Sequence, residues 1–270
     1  MSEELTDSIR AALDWARRQP PTSMTADQLA TDGRLALVYV EVAMKACSEV
    51  CAPARDEREF VTLQLLRASC DHARALTYLL ANNPLDLAGS ALALHRSQIE
   101  QFLRAVFVCD IASPDELEDF LVVDKGPRRK TAKEKWAAIS TVDLAAEVQA
   151  KMIEADGVEW ESPKLASMVA MAWDPLCGMV HGGRSVRVMY SNSSRQIGCA
   201  VPWRVCTQAT INAVAITNFC LAQTARMARL DEAQLHAQLS PAIDAFRNYL
   251  RERKTYLEGL GVRFVGHIIE

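Results

Sequence analysis

Ala88-Gly-Ser-Ala-Leu-Ala-Leu-His-Arg96-Ser-Gln-Ile-Glu100-Gln-Phe-Leu-Arg104-Ala-Val-Phe-Val-Cys109 is the most informative run in the chain. It is apolar almost all round, and its only full charges are Arg96, Glu100 and Arg104, each four residues from the next. On an α-helix that spacing places the three on one narrow stripe, with Leu103, Phe107 and Ile111 pointing the same way. A helix this apolar is expected to be largely buried, so the stripe should enter the interior or a cleft. Buried charges are costly unless paired, and an Arg-Glu-Arg ladder supplies its own pairing. The ladder is therefore a candidate site.

Working outward, the 270-residue chain is long for one compact domain and short for two, which points to a single helical domain. In that reading residues 1–55 pack as N-terminal helices on a bundle formed by 56–258, and 259–270 form a tail. An apolar fraction of 50% supports a substantial core, and 24% charged residues of mixed sign exclude a disordered chain. A net charge of −4 argues against a general nucleic-acid binder, although a local basic patch remains compatible with it. The acidic start Met1-Ser-Glu-Glu-Leu-Thr-Asp7 lacks the basic and apolar regions of a signal peptide. The richest apolar runs, Leu35–Met44 and Ala209–Leu221, are broken by Glu41, Asn212 and Asn218, short of the roughly 18 residues a membrane span needs. A soluble, cytoplasmic protein is expected.

Helix starts and stops are legible along the chain. Glu3–Arg18 ends at Pro20-Pro21, and Thr25-Ala-Asp-Gln28 reads as a capping box opening a helix to about Cys51. Asp56–Asn82 follows, and Asn82-Asn-Pro84 starts the helix that carries the ladder. Ser113-Pro-Asp-Glu116 opens a short helix to about Val123. Lys125–Lys135 reads as a mobile basic loop leading into a helix around Trp136, with one or two helices continuing to Asp156-Gly157. Ser162-Pro163 opens a helix that ends at His181-Gly182-Gly183, with a kink expected at Asp174-Pro175. Arg184–Pro202 alternates apolar and polar residues and is expected to be an irregular, hairpin-like loop. A long helix over Trp203–Arg229 and separate helices from Asp231 and from Ser240-Pro241 complete the chain. The expected fold is an all-α bundle of about eight to ten helices.

Met179-Val-His181-Gly-Gly183 places a histidine at a helix end where glycines let the backbone turn. His181 beside Arg96, Glu100 and Arg104 would make a group suited to acid–base chemistry or to gripping a phosphate. The alternative is a buried polar network that only fixes helix register. The runs Leu94-His-Arg96-Ser-Gln-Ile-Glu100 and Trp173-Asp-Pro-Leu-Cys-Gly-Met-Val-His181-Gly-Gly resemble uncharacterised bacterial helical proteins over about residues 60–225. Those families pair an Arg-x3-Glu helix with a later helix ending in Ser/Cys-x3-His-Gly. Their bundles are distantly similar to HEPN-type domains, many of which are ribonucleases in bacterial defence or toxin–antitoxin systems. The resemblance implies a metal-independent, cofactor-free protein that cleaves or binds RNA. His181 would then be the acid–base group, Arg96 and Arg104 the phosphate clamps, and Glu100 the residue that orients them. A non-catalytic protein that binds a partner or small ligand is the other expectation, and a homodimer is expected in either case.

HEPN ribonucleases carry Arg-x(4 to 6)-His, a spacing met here by Arg67-x4-His72 and Arg229-x6-His236, short enough to arise by chance. Lys125, Arg128, Arg129 and Lys130 of the basic loop are where an RNA backbone would be steered. Cys47-x3-Cys51 and Cys177-x3-His181 each put two metal-ligand types on one helix face and could together form a tetrahedral site, but they lack Cys-x2-Cys spacing. The eight cysteines otherwise read as small core residues, and Trp136, Trp160, Trp173 and Trp203 as core or interface anchors.

Overall fold

A computed structural model describes residues 24–123, 125–133, 135–156, 164–183, 186, 189–190 and 203–261. The expected helix Glu3–Arg18, most of the loop 184–202 and the tail beyond 261 lie outside these residues. Among the described residues are eight α-helices and one two-stranded hairpin, which makes the fold all-α.

Helix α1 (Ala26–Val50) begins where the sequence announces it. Thr25 Oγ1 accepts from Gln28 N–H at 3.2 Å while Gln28 Oε1 accepts from Thr25 N–H at 2.8 Å. This reciprocal pair satisfies two amides that a helix start otherwise leaves orphaned. Asp56 caps α2 (Glu57–Asn82) through Glu59 N–H at 2.8 Å. Asn83 alone separates α2 from α3 (Pro84–Val106), whose first residue is a proline that needs no N–H partner. α3 runs into a π-helical turn, Phe107–Ile111. The Arg58 guanidinium from α2 closes that turn by donating to the carbonyls of Val108 and Ala112.

Around this hairpin of α2 and α3, α7 (Trp203–Met227) packs against α1, α2 and α3, and α8 (Glu232–Gly259) packs on α1. α5 (Thr141–Asp156) and α6 (Lys164–Val180) pair with each other and cover α3. Gln149 of α5 fixes the start of α6 by accepting from Leu165 and Ala166 N–H at 2.9 and 3.1 Å. α7 is long and apolar enough to cross a membrane by composition, yet 83% of its apolar window is buried inside this bundle. Its buried polar side chains find partners within the bundle: Asn218 Oδ1 accepts from Tyr39, and Thr210, Thr217 and Thr224 donate to carbonyls one turn back, while Asn218 Nδ2 is left without a partner among the described residues.

Three expectations are corrected. Lys125–Lys135 does not lead into a helix at Trp136. Arg128–Lys130 (β1) pairs antiparallel with Trp136–Ala138 (β2), beside the short α4 (Pro114–Val123). The hairpin is held by ion pairs that sequence proximity does not reveal. Arg129 reaches Glu116 at 2.8 Å and Glu147 at 2.8 and 3.1 Å, Arg128 reaches Asp119 at 3.4 Å, and Lys130 reaches Asp115 at 2.9 Å. Second, Ser240-Pro241 does not divide the last segment, because α8 runs unbroken through Pro241. The carbonyl that Pro241 leaves without an amide belongs to Ala237, which is exposed, while Ala242, Phe246 and Tyr249 keep the helix anchored. Third, the described residues of 184–202 are not strand-like: Val186 and Met189 are helical, and Tyr190 N–H donates to Val186 C=O at 3.0 Å.

Candidate active site

α3 sets the ladder along the margin of the core. Ile99, Phe102, Leu103 and Phe107 are fully buried, whereas the side chains of Arg96, Glu100 and Arg104 keep 18%, 23% and 29% of their surface. The stripe therefore lies at the edge of the core and does not point inward with Leu103 and Phe107. The reason is that 3.6 residues per turn rotates each i+4 step by about 40°, away from the i+3 positions that face the core.

α6 brings the histidine to this edge. His181 N–H bonds Cys177 C=O at 2.9 Å, Gly183 N–H bonds Gly178 C=O at 2.7 Å, and Gly182 between them has φ +71°. This is a Schellman turn, and its left-handed residue must be one that tolerates positive φ. The turn leaves the imidazole exposed on the side facing α3. Arg96 Nη1 donates to His181 Nε2 at 2.9 Å, which requires a neutral ring with its proton on Nδ1. α6 stays helical through Pro175, whose ring frees the carbonyl of Met171, itself 62% exposed.

Glu100 Oε1 lies 3.4 Å from Arg96 Nη2 and 4.0 Å from Arg104 Nη2, so one carboxylate oxygen faces two guanidinia. The ladder carries one positive charge in excess, and Arg104 is held loosely enough to offer donors to a ligand. Arg96 Nε is buried with no hydrogen-bond partner among the described residues. Trp173 of α6 supports the Arg96 guanidinium carbon 5.1 Å from its ring centroid. Cys177, one turn before His181, borders the same charges. Burial raises its thiol pKa, against a smaller lowering by Arg96.

The four residues predicted as a site thus come together. Trp173, expected to be a core or interface anchor, packs half-buried against the core and also forms a shelf for Arg96. Trp136 plays the same part for Arg128 and Lys130, at 5.8 and 5.4 Å. Trp160 and Cys199 lie outside the described residues. Of the basic residues, Arg128, Arg129 and Lys130 are committed to the acidic partners named above. The exposed Lys125 lies next to Gly126, where a Cβ would stand 3.6 Å from Arg104 Nη2.

The Arg-His spacings do not form pairs: Arg67 binds Asp71 at 3.0 Å, Arg229 binds Glu59 at 3.2 Å, and His236 faces Ser240. The two halves of the proposed tetrahedral metal site also separate, since Cys47 and Cys51 line a pocket with Leu63 and Cys70 while Cys177 borders Arg96.

These features define an all-α protein with a partly buried cluster of two arginines and one glutamate, closed at its edge by an exposed histidine. A family described as of unknown function (DUF6988) matches residues 66–252, and the chain belongs to it. That span contains the whole ladder and His181. No curated protein and no solved structure matches the chain.

Proposed function

We propose that the cleft between α3 and α6 is the active site of a HEPN-like protein that cleaves RNA without a metal ion. The observation that carries this reading is the 2.9 Å Arg96–His181 hydrogen bond, which joins a partly buried charge ladder to an exposed imidazole. A cluster serving only helix register would be sealed and mutually satisfied. This one keeps an exposed imidazole, a loosely held Arg104 and an orphaned Arg96 Nε.

A phosphodiester entering the cleft would compete with His181 for Arg96 and would meet Arg104 from the other side of Glu100. Drawing Arg96 onto the phosphate frees the Nε2 lone pair to take the proton of a neighbouring 2′-hydroxyl. The 2′-oxygen then attacks phosphorus, the bond to the 5′-oxygen breaks, and that oxygen takes a proton from solvent. A 2′,3′-cyclic phosphate and a 5′-hydroxyl end result. The two guanidinia offset the charge that develops on the non-bridging oxygens, and Glu100 keeps both aimed at one point.

The test is cleavage of pooled tRNA and single-stranded RNA in the presence of EDTA. Wild type should give cyclic-phosphate ends, and His181→Ala should lose at least about 100-fold in rate, the contribution of one positioned acid–base group. Absence of cleavage by folded wild type would refute the ribonuclease reading. Retained RNA binding in that case would favour the non-catalytic one, which the mutual contacts of Arg96, His181, Glu100 and Trp173 also support.

A further inference from the structure

A second site lies between α1 and α2. Met44, Cys47 and Cys51 of the C-terminal half of α1 face Leu63, Leu66, Arg67 and Cys70 of α2 across a cavity of about 160 Å³, with Thr224 of α7 at its back. Four of the nine lining residues bring sulfur, and none brings a carboxylate or an imidazole. Leu66 and Cys70, 2% and 3% exposed, form the floor, while Cys51 and Arg67 are exposed at the mouth. Cys47 and Cys70 are immediate neighbours, and Cys220 lies behind Cys70.

The donor set narrows what the cavity accepts. Thiol and thioether sulfurs are soft ligands that discriminate against calcium, magnesium and manganese. Among the described residues no three metal-binding side chains converge, so four-coordinate zinc is not provided for. Two adjacent thiols with a thioether beside them suit a cation content with two sulfur ligands. We propose that Cys47 and Cys70 form a two-thiolate site for copper(I), with the Met44 sulfur alongside.

Binding replaces two S–H bonds by two copper–sulfur bonds and releases two protons, which leaves the bis-thiolate unit with one negative charge.

The experiment titrates the reduced full-length chain with copper(I) under nitrogen against a coloured copper(I) chelator, and follows melting temperature in parallel. Wild type should withhold one equivalent from the chelator and melt higher once loaded. Cys47→Ser should weaken that equivalent by at least about 100-fold, beyond the effect of disturbing an outer-shell group, and remove the rise in melting temperature. Cys51→Ser and Cys177→Ser should behave as wild type. Cys47 is half-buried, so its serine variant decides the matter even if Cys70→Ser fails to fold. Wild-type affinity in Cys47→Ser, or loss of the equivalent in Cys51→Ser or Cys177→Ser, would overturn the assignment.

Discussion

Asp32, Arg253 and His95 show how the interior treats buried polar side chains. Asp32 of α1, fully buried, accepts from Arg253 of α8 at 2.6 and 3.4 Å, and Arg253 is 1% exposed. Removing one member strands the other charge away from water. Asp32→Asn should therefore lower unfolding free energy by roughly 3–5 kcal/mol in a urea titration. Asp32→Leu combined with Arg253→Met should lose less than the single change, because no stranded charge remains. His95 behaves differently. Its Nδ1–H donates to Gln98 Oε1 at 3.1 Å, while Nε2 is buried without a partner, so a second proton would have nothing to bind. Burial lowers its pKa from 6.5 to about 4, and the Gln98 hydrogen bond opposes this only weakly. Between those values the unfolded chain binds the proton and the folded one does not. Stability should thus fall as pH drops from about 6.5 to about 4, by about 3 kcal/mol, and level off below. His95→Gln should flatten that slope, and a slope unchanged in the variant would assign it to other groups.

At the scale of elements, two glycines distinguish a backbone requirement from a packing one. Gly182 has φ +71° with open space around it, so Gly182→Ala should cost about 1–2 kcal/mol from the left-handed conformation alone. Gly33 has no special conformation, but a Cβ there would lie 2.7 Å from Ala81 N and 2.9 Å from Leu80 C of α2. Backbone atoms cannot turn aside as a side chain does, so Gly33→Ala should force α1 away from α2 and destabilise more than Gly182→Ala in the same denaturation assay. The reverse order would mean that the two helices slide apart freely. The glycine turn after His181 was legible because its signal is local, as were the capping boxes at Thr25 and the proline start at Pro84. The Arg96–Glu100–Arg104 stripe was legible for the same reason, being a matter of i+4 spacing on one helix. The hairpin was not legible, since Arg129 is held by Glu116 and Glu147, 13 and 18 residues away. Nor was the role of Trp173, whose ring meets Arg96 only when α6 packs on α3. The break misread at Pro241 shows that a proline signal yields where the orphaned carbonyl faces solvent and the next turns are buried.

For the molecule as a whole, burial is distributed unevenly enough to set an order of opening. α7 is buried on almost every turn from Cys206 to Thr224, and the second half of α3 packs against it through Phe102 and Phe219, whose rings lie 5.9 Å apart. α4 buries no residue at all, and the β1–β2 hairpin is three residues deep and held by half-exposed ion pairs. Local opening costs little where few apolar contacts are broken, and surface ion pairs add at most about 1 kcal/mol each. Hydrogen exchange followed by mass spectrometry should therefore find α7 and the end of α3 exchanging only with global unfolding. α4 and the hairpin should exchange far earlier, and faster still in high salt, which screens their charges. The cleft straddles this boundary, because Arg96, Glu100 and Arg104 ride on the most protected helix pair. His181 sits on the terminal turn of α6 and Lys125 on the edge of the labile hairpin. His181→Ala should accordingly leave both the melting temperature and the protection of α7 unchanged, which makes it a clean probe of chemistry at the cleft. If His181→Ala instead lowered α7 protection to the level of the hairpin, the imidazole would belong to the structural network, and the reading of the cleft as an active site would fail with it.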